Sequence, residues 1–273
     1  MFKLDGGAMF GVVPKKIWNK LNPADENNLC TWAMRCLLVD DGVNRVLIDN
    51  GMGNKQDAKF FSHYEPDGKY SLLSSLQNAG YKPEDITDVF HTHLHFDHCG
   101  GGIVRMGEGF ALTFPNAKYW VDARQWAWAL EPNAREKASF LKENLMPIQE
   151  LGALHFLSDG EKSPWPWMEM FRCFGHTESM VLPIIETKKG KLVFCADLFP
   201  SPNHVPMPYI MGYDMRPLET LADKKRFFQS AFEQNWTLFF EHDPEAECAN
   251  LVHGEKGAQV NQKFSLDWFL SQN

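Results

Sequence analysis

The chain has little of what would mark several large protein classes. Its six cysteines (Cys30, Cys36, Cys99, Cys173, Cys195 and Cys248) form no CxxC pair and no dense framework. In a chain of 273 residues this points to reduced, mostly buried thiols rather than disulfides. No apolar run reaches the roughly 18 residues that a transmembrane helix needs. Basic residues are scattered and the formal charge is -8. A nucleic-acid substrate normally calls for a positive stripe, so neither a nucleic-acid partner nor a nuclease is expected. No low-complexity segment, motif-sized repeat or linker composition appears, and residues 1–273 are expected to fold as a single domain. The opening Met1-Phe2-Lys3-Leu4-Asp5-Gly6-Gly7 lacks the basic-then-apolar order of a secretory signal. The expected compartment is the cytoplasm, with no membrane partner.

Hydrophobic residues make up 44% of the chain, enough for a substantial core. Two apolar runs, 35–40 and 45–49, flank Asp41-Gly42, a hairpin signal. Ser71 to Ala79 reads as a short helix with Leu72, Leu73 and Leu76 on one face and Gly80 as its stop. Residues 86–90 read as a buried strand running into His93. Residues 117–121 read as another strand, and Asp122 can cap a helix through Leu130. Asn133 to Glu150 reads as helical. In the second half, Met168 to Phe174 leads to Gly175-His176-Thr177. Val181–Glu186 and Lys191–Cys195 form a hairpin around Lys189-Gly190, and Trp236 to Phe240 is a short strand. Hairpins flanked by helices in each half predict an α/β architecture with mixed sheets.

The densest chemical signal is His93-Leu94-His95-Phe96-Asp97-His98, four good metal ligands in six residues. If the strand continues through it, side chains two apart share a side, so His93 and His95 can bind one ion. Asp97 and His98, past the strand end, can serve a second. Imidazoles at this spacing suit zinc or a neighbouring first-row metal, and the aspartate adds a harder ligand. His176, Asp197 and His242 each follow a predicted strand. Strand ends meeting at one sheet edge are where such folds build sites.

These motifs, in order, resemble the metallo-β-lactamase superfamily: Leu47-Ile48-Asp49-Asn50-Gly51, Thr92 through Gly101, Gly175-His176-Thr177, Ala196-Asp197 and Glu241-His242. The resemblance implies a four-layer αβ/βα sandwich with two mixed β-sheets and a dinuclear metal centre. It places His93, His95 and His176 on one ion, Asp97, His98 and His242 on the other, and Asp197 between them. Asp49 would support the ligand loops. Two divalent ions, most simply Zn²⁺, with manganese, iron or cobalt also fitting the mixed N/O set, would lower the pKa of a shared water that then attacks the substrate. Asp97 is the expected proton carrier. An aspartate at 197 turns the expectation away from zinc β-lactamases, which generally lack it. A histidine at 95 turns it away from flavodiiron proteins, which carry glutamate there.

The segment Leu4 to Lys15 is similar to the opening of the N-acyl-homoserine-lactonase and methyl-parathion-hydrolase-like branch. This implies a small-molecule lactone, ester or phosphotriester substrate. Met9, Phe10, Phe96 and Trp18 would then form an apolar rim, and His204 or Tyr209, in the proline-rich loop after Asp197, would touch substrate. Pro200 stands where many acyl-homoserine lactonases have a tyrosine. The alternatives are glyoxalase-II-like thioester hydrolysis, whose helical glutathione-binding region has little room after His242, and a non-catalytic metal-binding protein of the same fold. Apolar residues near the N-terminus, if exposed, point to a homodimer.

Overall fold

The computed structural model describes residues 1–158 and 160–272. They gather into two compact units: Met1 with Met34–Glu161, and Phe2–Ala33 with the chain from Lys162 onward. No helix among the described residues is long and apolar enough to cross a membrane.

The first unit is built on a five-stranded sheet, in the order Leu37–Asp40, Arg45–Ile48, Asp88–Phe90, Lys118–Asp122 and Leu154–Leu157. The first pair is the antiparallel hairpin expected from Asp41-Gly42. Its turn is fixed locally: Asp41 Oδ1 accepts from the Val43 and Asn44 amides, and Gly42 has a φ of 87°. The remaining pairs are parallel. Asp88–Phe90 is buried along its whole length, as a parallel strand covered on both faces must be. Leu47, Leu76, Val89, Ile103, Phe114, Tyr119 and Ile148 form the main core.

The expected short helix is present as Leu72–Asn78, with Ser71 as its cap rather than its first turn, but only part of the expected face is covered. Leu76 is buried and Leu72 packs on the core, whereas Leu73 is 46% exposed. Asp122 caps the helix Ala123–Leu130 by accepting from the Arg124 amide. The expected helix over 133–150 is shorter. One 3₁₀ turn, Lys137–Ser139, and a helix, Lys142–Glu150, replace it. The Asn133 side chain accepts from the Arg135 and Glu136 amides, a local turn that competes with helix propagation.

The second unit holds a six-stranded mixed sheet, in the order Met168–Cys173, Met180–Thr187, Gly190–Phe194, Thr237–Phe239, Cys248–Gly254 and Gly257–Phe264. The hairpin around Lys189-Gly190 is present. Gly190–Phe194 and Thr237–Phe239 pair in parallel, with Phe194 opposite Phe239. A two-stranded sheet, Phe2–Asp5 with Leu29–Trp32, completes the unit. The helix Pro217–Glu233 buries Thr220, Asp223, Lys224, Phe227, Phe228 and Ala231, the three-to-four spacing of one helical face. Phe227 meets Phe199, Trp236 and Phe171 at 4.9, 5.2 and 5.6 Å between ring centroids. The cysteines are free thiols, all buried except the half-buried Cys36.

Candidate metal centre

In the first unit the parallel strands Arg45–Ile48, Asp88–Phe90 and Lys118–Asp122 all end at one edge. Ligands gather at such carboxyl ends because the chain must turn there and leaves backbone and side chains pointing outward. The strand entering the histidine motif stops at Phe90, three residues before His93. The strand-alternation expectation for His93 and His95 is therefore corrected: both lie in the connection before a short helix, Phe96–Cys99. The loop still brings them together, with His93 Nε2 3.0 Å from His95 Nδ1. His98 lies against His93, with ring centroids 3.9 Å apart and the planes tilted by 46°. Its Nε2 is 3.9 Å from Asp97 Oδ1.

The glycines after the motif have a packing reason. A Cβ at Gly100 would collide with the Met52 carbonyl, and one at Gly101 with the Asn50 carbonyl. Only glycines let the ligand loop lie against the loop that follows Asp49. Asp49 has the left-handed φ of 52°, unusual for a residue with a side chain. It accepts from the Thr92 amide at 2.8 Å and the Thr92 hydroxyl at 2.7 Å, and takes His98 Nδ1–H at 3.0 Å. Such strain persists only where surrounding contacts impose it.

In the second unit the ends of Met168–Cys173, Gly190–Phe194 and Thr237–Phe239 also share an edge, and His176, Asp197 and His242 follow them. Asp197 Oδ2 is 3.1 Å from His176 Nε2, and its Oδ1 is 3.1 Å from His242 Nε2. One carboxylate thus turns a separate oxygen to each of two imidazoles. Ala196, just before it, has a φ of 40°. A Cβ at Gly175 would strike Thr220 at the start of the long helix, so glycine is required before His176. Cys195 is fully buried in the strand end, as expected of a core thiol.

Each of the five histidines has its outer nitrogen engaged within its own unit. His95 Nε2–H donates to Glu136 Oε1 at 2.9 Å, His98 Nδ1–H to Asp49, and His176 Nδ1–H to Asp214 Oδ1 at 2.9 Å. His242 Nδ1–H donates to the Ala33 carbonyl at 2.8 Å. His93 Nδ1 lies 3.1 Å from the Thr92 hydroxyl, which itself donates to Asp49. Carboxylates and carbonyls only accept, so these contacts fix the tautomers. In the neutral rings the other nitrogen is then an acceptor, and in four of the five it faces another acceptor: His93 against His95, and His176 and His242 against Asp197.

Acceptors this close repel unless a cation stands between them. Burial by itself would lower the His176 pKa, but the charges and hydrogen bonds of Asp197 and Asp214 outweigh it and push it up to about 10, so where no metal ion is bound a second proton on Nε2 takes the cation's place. The donor set therefore fits a divalent ion of the zinc type. Within both units, ligand atoms that face each other in this way lie within 4.8 Å.

The outer partners Glu136 and Asp214 carry no local signal in the sequence. Glu136 is held by Trp128 Nε1–H at 2.7 Å and Asn133 Nδ2–H at 3.2 Å. Trp128 thus supports His95 through Glu136. Asp214 accepts from the Thr220 hydroxyl at 2.7 Å, and Asp223 Oδ2 accepts from the Phe174 and Gly175 amides. The long helix therefore anchors His176 twice.

The expected apolar rim is placed differently. Phe10, Trp18 and Met9 are almost wholly buried. Phe10 stacks between Trp18 and His204, with centroids at 5.5 and 4.8 Å, and serves as core of the second unit. His204 is fully buried, with Nδ1 2.8 Å from Ser201 Oγ and Nε2–H donating to the Met9 carbonyl at 2.9 Å. Tyr209 is half-buried, and its carbonyl accepts from Lys224 Nζ, as do those of His204 and Pro206. Phe96 packs against Tyr64 and Phe60 in the first unit, with centroids at 4.6 and 5.2 Å.

The sequence profile of the Metallo-beta-lactamase superfamily matches residues 35–228. This is well over half of the chain, which belongs to that superfamily and is a metal-dependent hydrolase by class. An N-acyl homoserine lactonase of Bacillus cereus is 24% identical over 247 residues, covering 86% of this chain and 90% of the relative. A probable metal-dependent hydrolase from Staphylococcus aureus superposes with a TM-score of 0.86 at 28% identity, covering 96% of this chain and 92% of the other. AidC, a dizinc quorum-quenching lactonase, superposes at 0.79 with 22% identity over 97% and 92% of the two chains. At that identity the likeness concerns the fold, which here is α/β with mixed sheets.

Proposed function

We propose that the protein is a dinuclear-metal-dependent hydrolase of small lactones and other esters, with phosphotriesters in the same range, and that residues 1–273 act as one hydrolase domain. In this reading His93, His95 and His176 hold one ion and Asp97, His98 and His242 the other. Asp197 bridges them, and Asp49 braces the ligand loops. The observation that carries the reading is Asp197, whose two oxygens each face a different histidine at 3.1 Å. A carboxylate placed so is suited to joining two cations. The relatives named as lactonases favour the ester class. Exposed Val12, Ile17 and Leu21 favour the homodimer.

Bound divalent ions, with zinc the default, would supply an activated water and polarise the substrate oxygen. The chain's own part is orientation and proton handling. Thr92, Glu136, Asp49, Asp214 and the Ala33 carbonyl fix five imidazole rings before any ligand arrives, which lowers the cost of assembling the site. Asp97, 8% exposed, takes the proton released by water and passes it to the leaving alkoxide.

The test is metal analysis of the purified protein, coupled to a panel of lactone, aryl ester, thioester and phosphotriester. About two metals per chain and turnover of a lactone or oxygen ester is the expected result. Turnover of the thioester alone would replace the ester reading with a glyoxalase-II-like one. Two bound metals without turnover on any arm would leave only a metal-binding protein.

A further inference from the structure

Tyr64 is absent from the set of residues that the motifs point to. It follows the helix Ala58–Ser62 in the first unit. Its ring lies 5.0 Å from Phe60 and 4.6 Å from Phe96 between centroids. Phe96 sits in the chain between His95 and Asp97, so this packing sets the phenol beside the ligand loop. Tyr64 is half-buried, and its ring contacts are all apolar or aromatic. Among the described residues its hydroxyl has no hydrogen-bond partner, whereas Tyr119 and Tyr81 both donate to protein oxygens. Burial, and after it the charge of Asp97, push its pKa up to about 12, so the group remains an O–H donor across the working pH range. An uncommitted donor held in an apolar wall beside an acid has a use when an oxygen arrives there.

We propose that the Tyr64 hydroxyl donates a hydrogen bond to the leaving-group oxygen of the ester as its bond to carbon breaks. The inference rests on the ester-hydrolase reading. Water oxygen bonds to the acyl carbon, the carbon–leaving-oxygen bond breaks, and the water proton travels by Asp97 to the alkoxide. Tyr64 keeps its own proton throughout and stabilises charge on the departing oxygen. Its aid is worth most when that oxygen is basic, as in an alkyl lactone, and least for a nitrophenolate.

The test compares zinc-loaded wild type with Tyr64→Phe, which keeps the ring and its packing on Phe60 and Phe96. For a γ-lactone, kcat should fall roughly 10- to 100-fold with KM nearly unchanged. For a p-nitrophenyl ester the fall should be under about 3-fold, so the dependence of kcat on leaving-group pKa steepens in the variant. As a readout apart from turnover, calorimetry with the 4-hydroxy-acid product should show affinity weakened about 5-fold, the loss of one hydrogen bond. Zinc content should not change. Equal leaving-group dependence and equal product affinity in the two proteins would overturn the assignment while leaving the hydrolase reading intact. A wild type that neither hydrolyses any ester nor binds the product overturns both, and the wild-type arm alone reveals that case.

Discussion

His204 gives the sharpest test of how the second unit is held. It is fully buried, and as a neutral ring it satisfies both neighbours, accepting from Ser201 Oγ and donating to the Met9 carbonyl. A charged ring would put an N–H against the hydroxyl in a site closed by Phe10, Trp32 and Trp18. Burial pulls its pKa from 6.5 down to about 3. The folded pKa is depressed, so the unfolded chain binds the extra proton between those values. The stability from keeping His204 neutral is fully present above about pH 6.5 and is lost as pH falls toward 3. At about 1.4 kcal/mol per unit, this amounts to roughly 3 kcal/mol by pH 4.

The assay is urea unfolding of chelator-treated protein from pH 7 to 4, comparing wild type with His204→Gln. Glutamine can offer an oxygen to Ser201 and an N–H to Met9 but does not titrate. Chelation removes acid-driven metal loss as a contributor, and the difference between proteins cancels the other histidines. The wild-type stability should fall more steeply on acidification, by about 3 kcal/mol over the range. Parallel curves would refute the neutral, structural assignment. Because His204 is fully buried with both ring nitrogens engaged by protein, the metal-loaded variant should keep kcat within about 3-fold at pH 8, a separate check by direct assay.

Two further outcomes follow from the ligand geometry. Asp197→Ala should reduce bound metal from two per chain toward one, measured by atomic absorption, and lower kcat/KM by more than about 100-fold; a variant that retains both metals and full activity would remove the bridging role. Glu136→Gln leaves an acceptor oxygen but no charge against His95 Nε2, and should weaken metal affinity about 10-fold in chelator competition. An unchanged dissociation constant would show that Glu136 only packs.

Much of the candidate site was legible because the residues that could hold metal sit in short, local patterns. The motif 93–98 concentrates histidine and aspartate within six residues, and the strand-end positions of His176, Asp197 and His242 follow from apolar runs closed by turn residues. The hairpin at Asp41-Gly42 and the cap at Asp122 were legible for the same reason, since their hydrogen bonds span two or three residues. The strand-through-His93 expectation failed because a period of two cannot be read across residues that are all buried, as 88–100 are. The burial of Met9, Phe10 and Trp18 was not legible because such residues look alike in sequence whether they face a pocket or a core. The helix Pro217–Glu233 does carry its signals, Pro217 at the first position and an apolar three-to-four spacing at 227, 228 and 231, but these announce a helix and not its service to His176.

The sequence by itself determined the family, the candidate ligand types and the order in which strands deliver them, because metal-ligand chemistry and β-hairpin turns are written in neighbouring residues. Only the tertiary structure decided which partner orients each ring. Glu136 lies 41 residues from His95, Asp214 lies 38 from His176, and the Ala33 carbonyl lies 209 from His242. No local pattern links such pairs, since each is made by where the folded backbone leaves an acceptor beside an imidazole. Tyr64 was hidden in the same way: an unpaired hydroxyl is a property of its surroundings, and those exist only once Phe60 and Phe96 have closed around it.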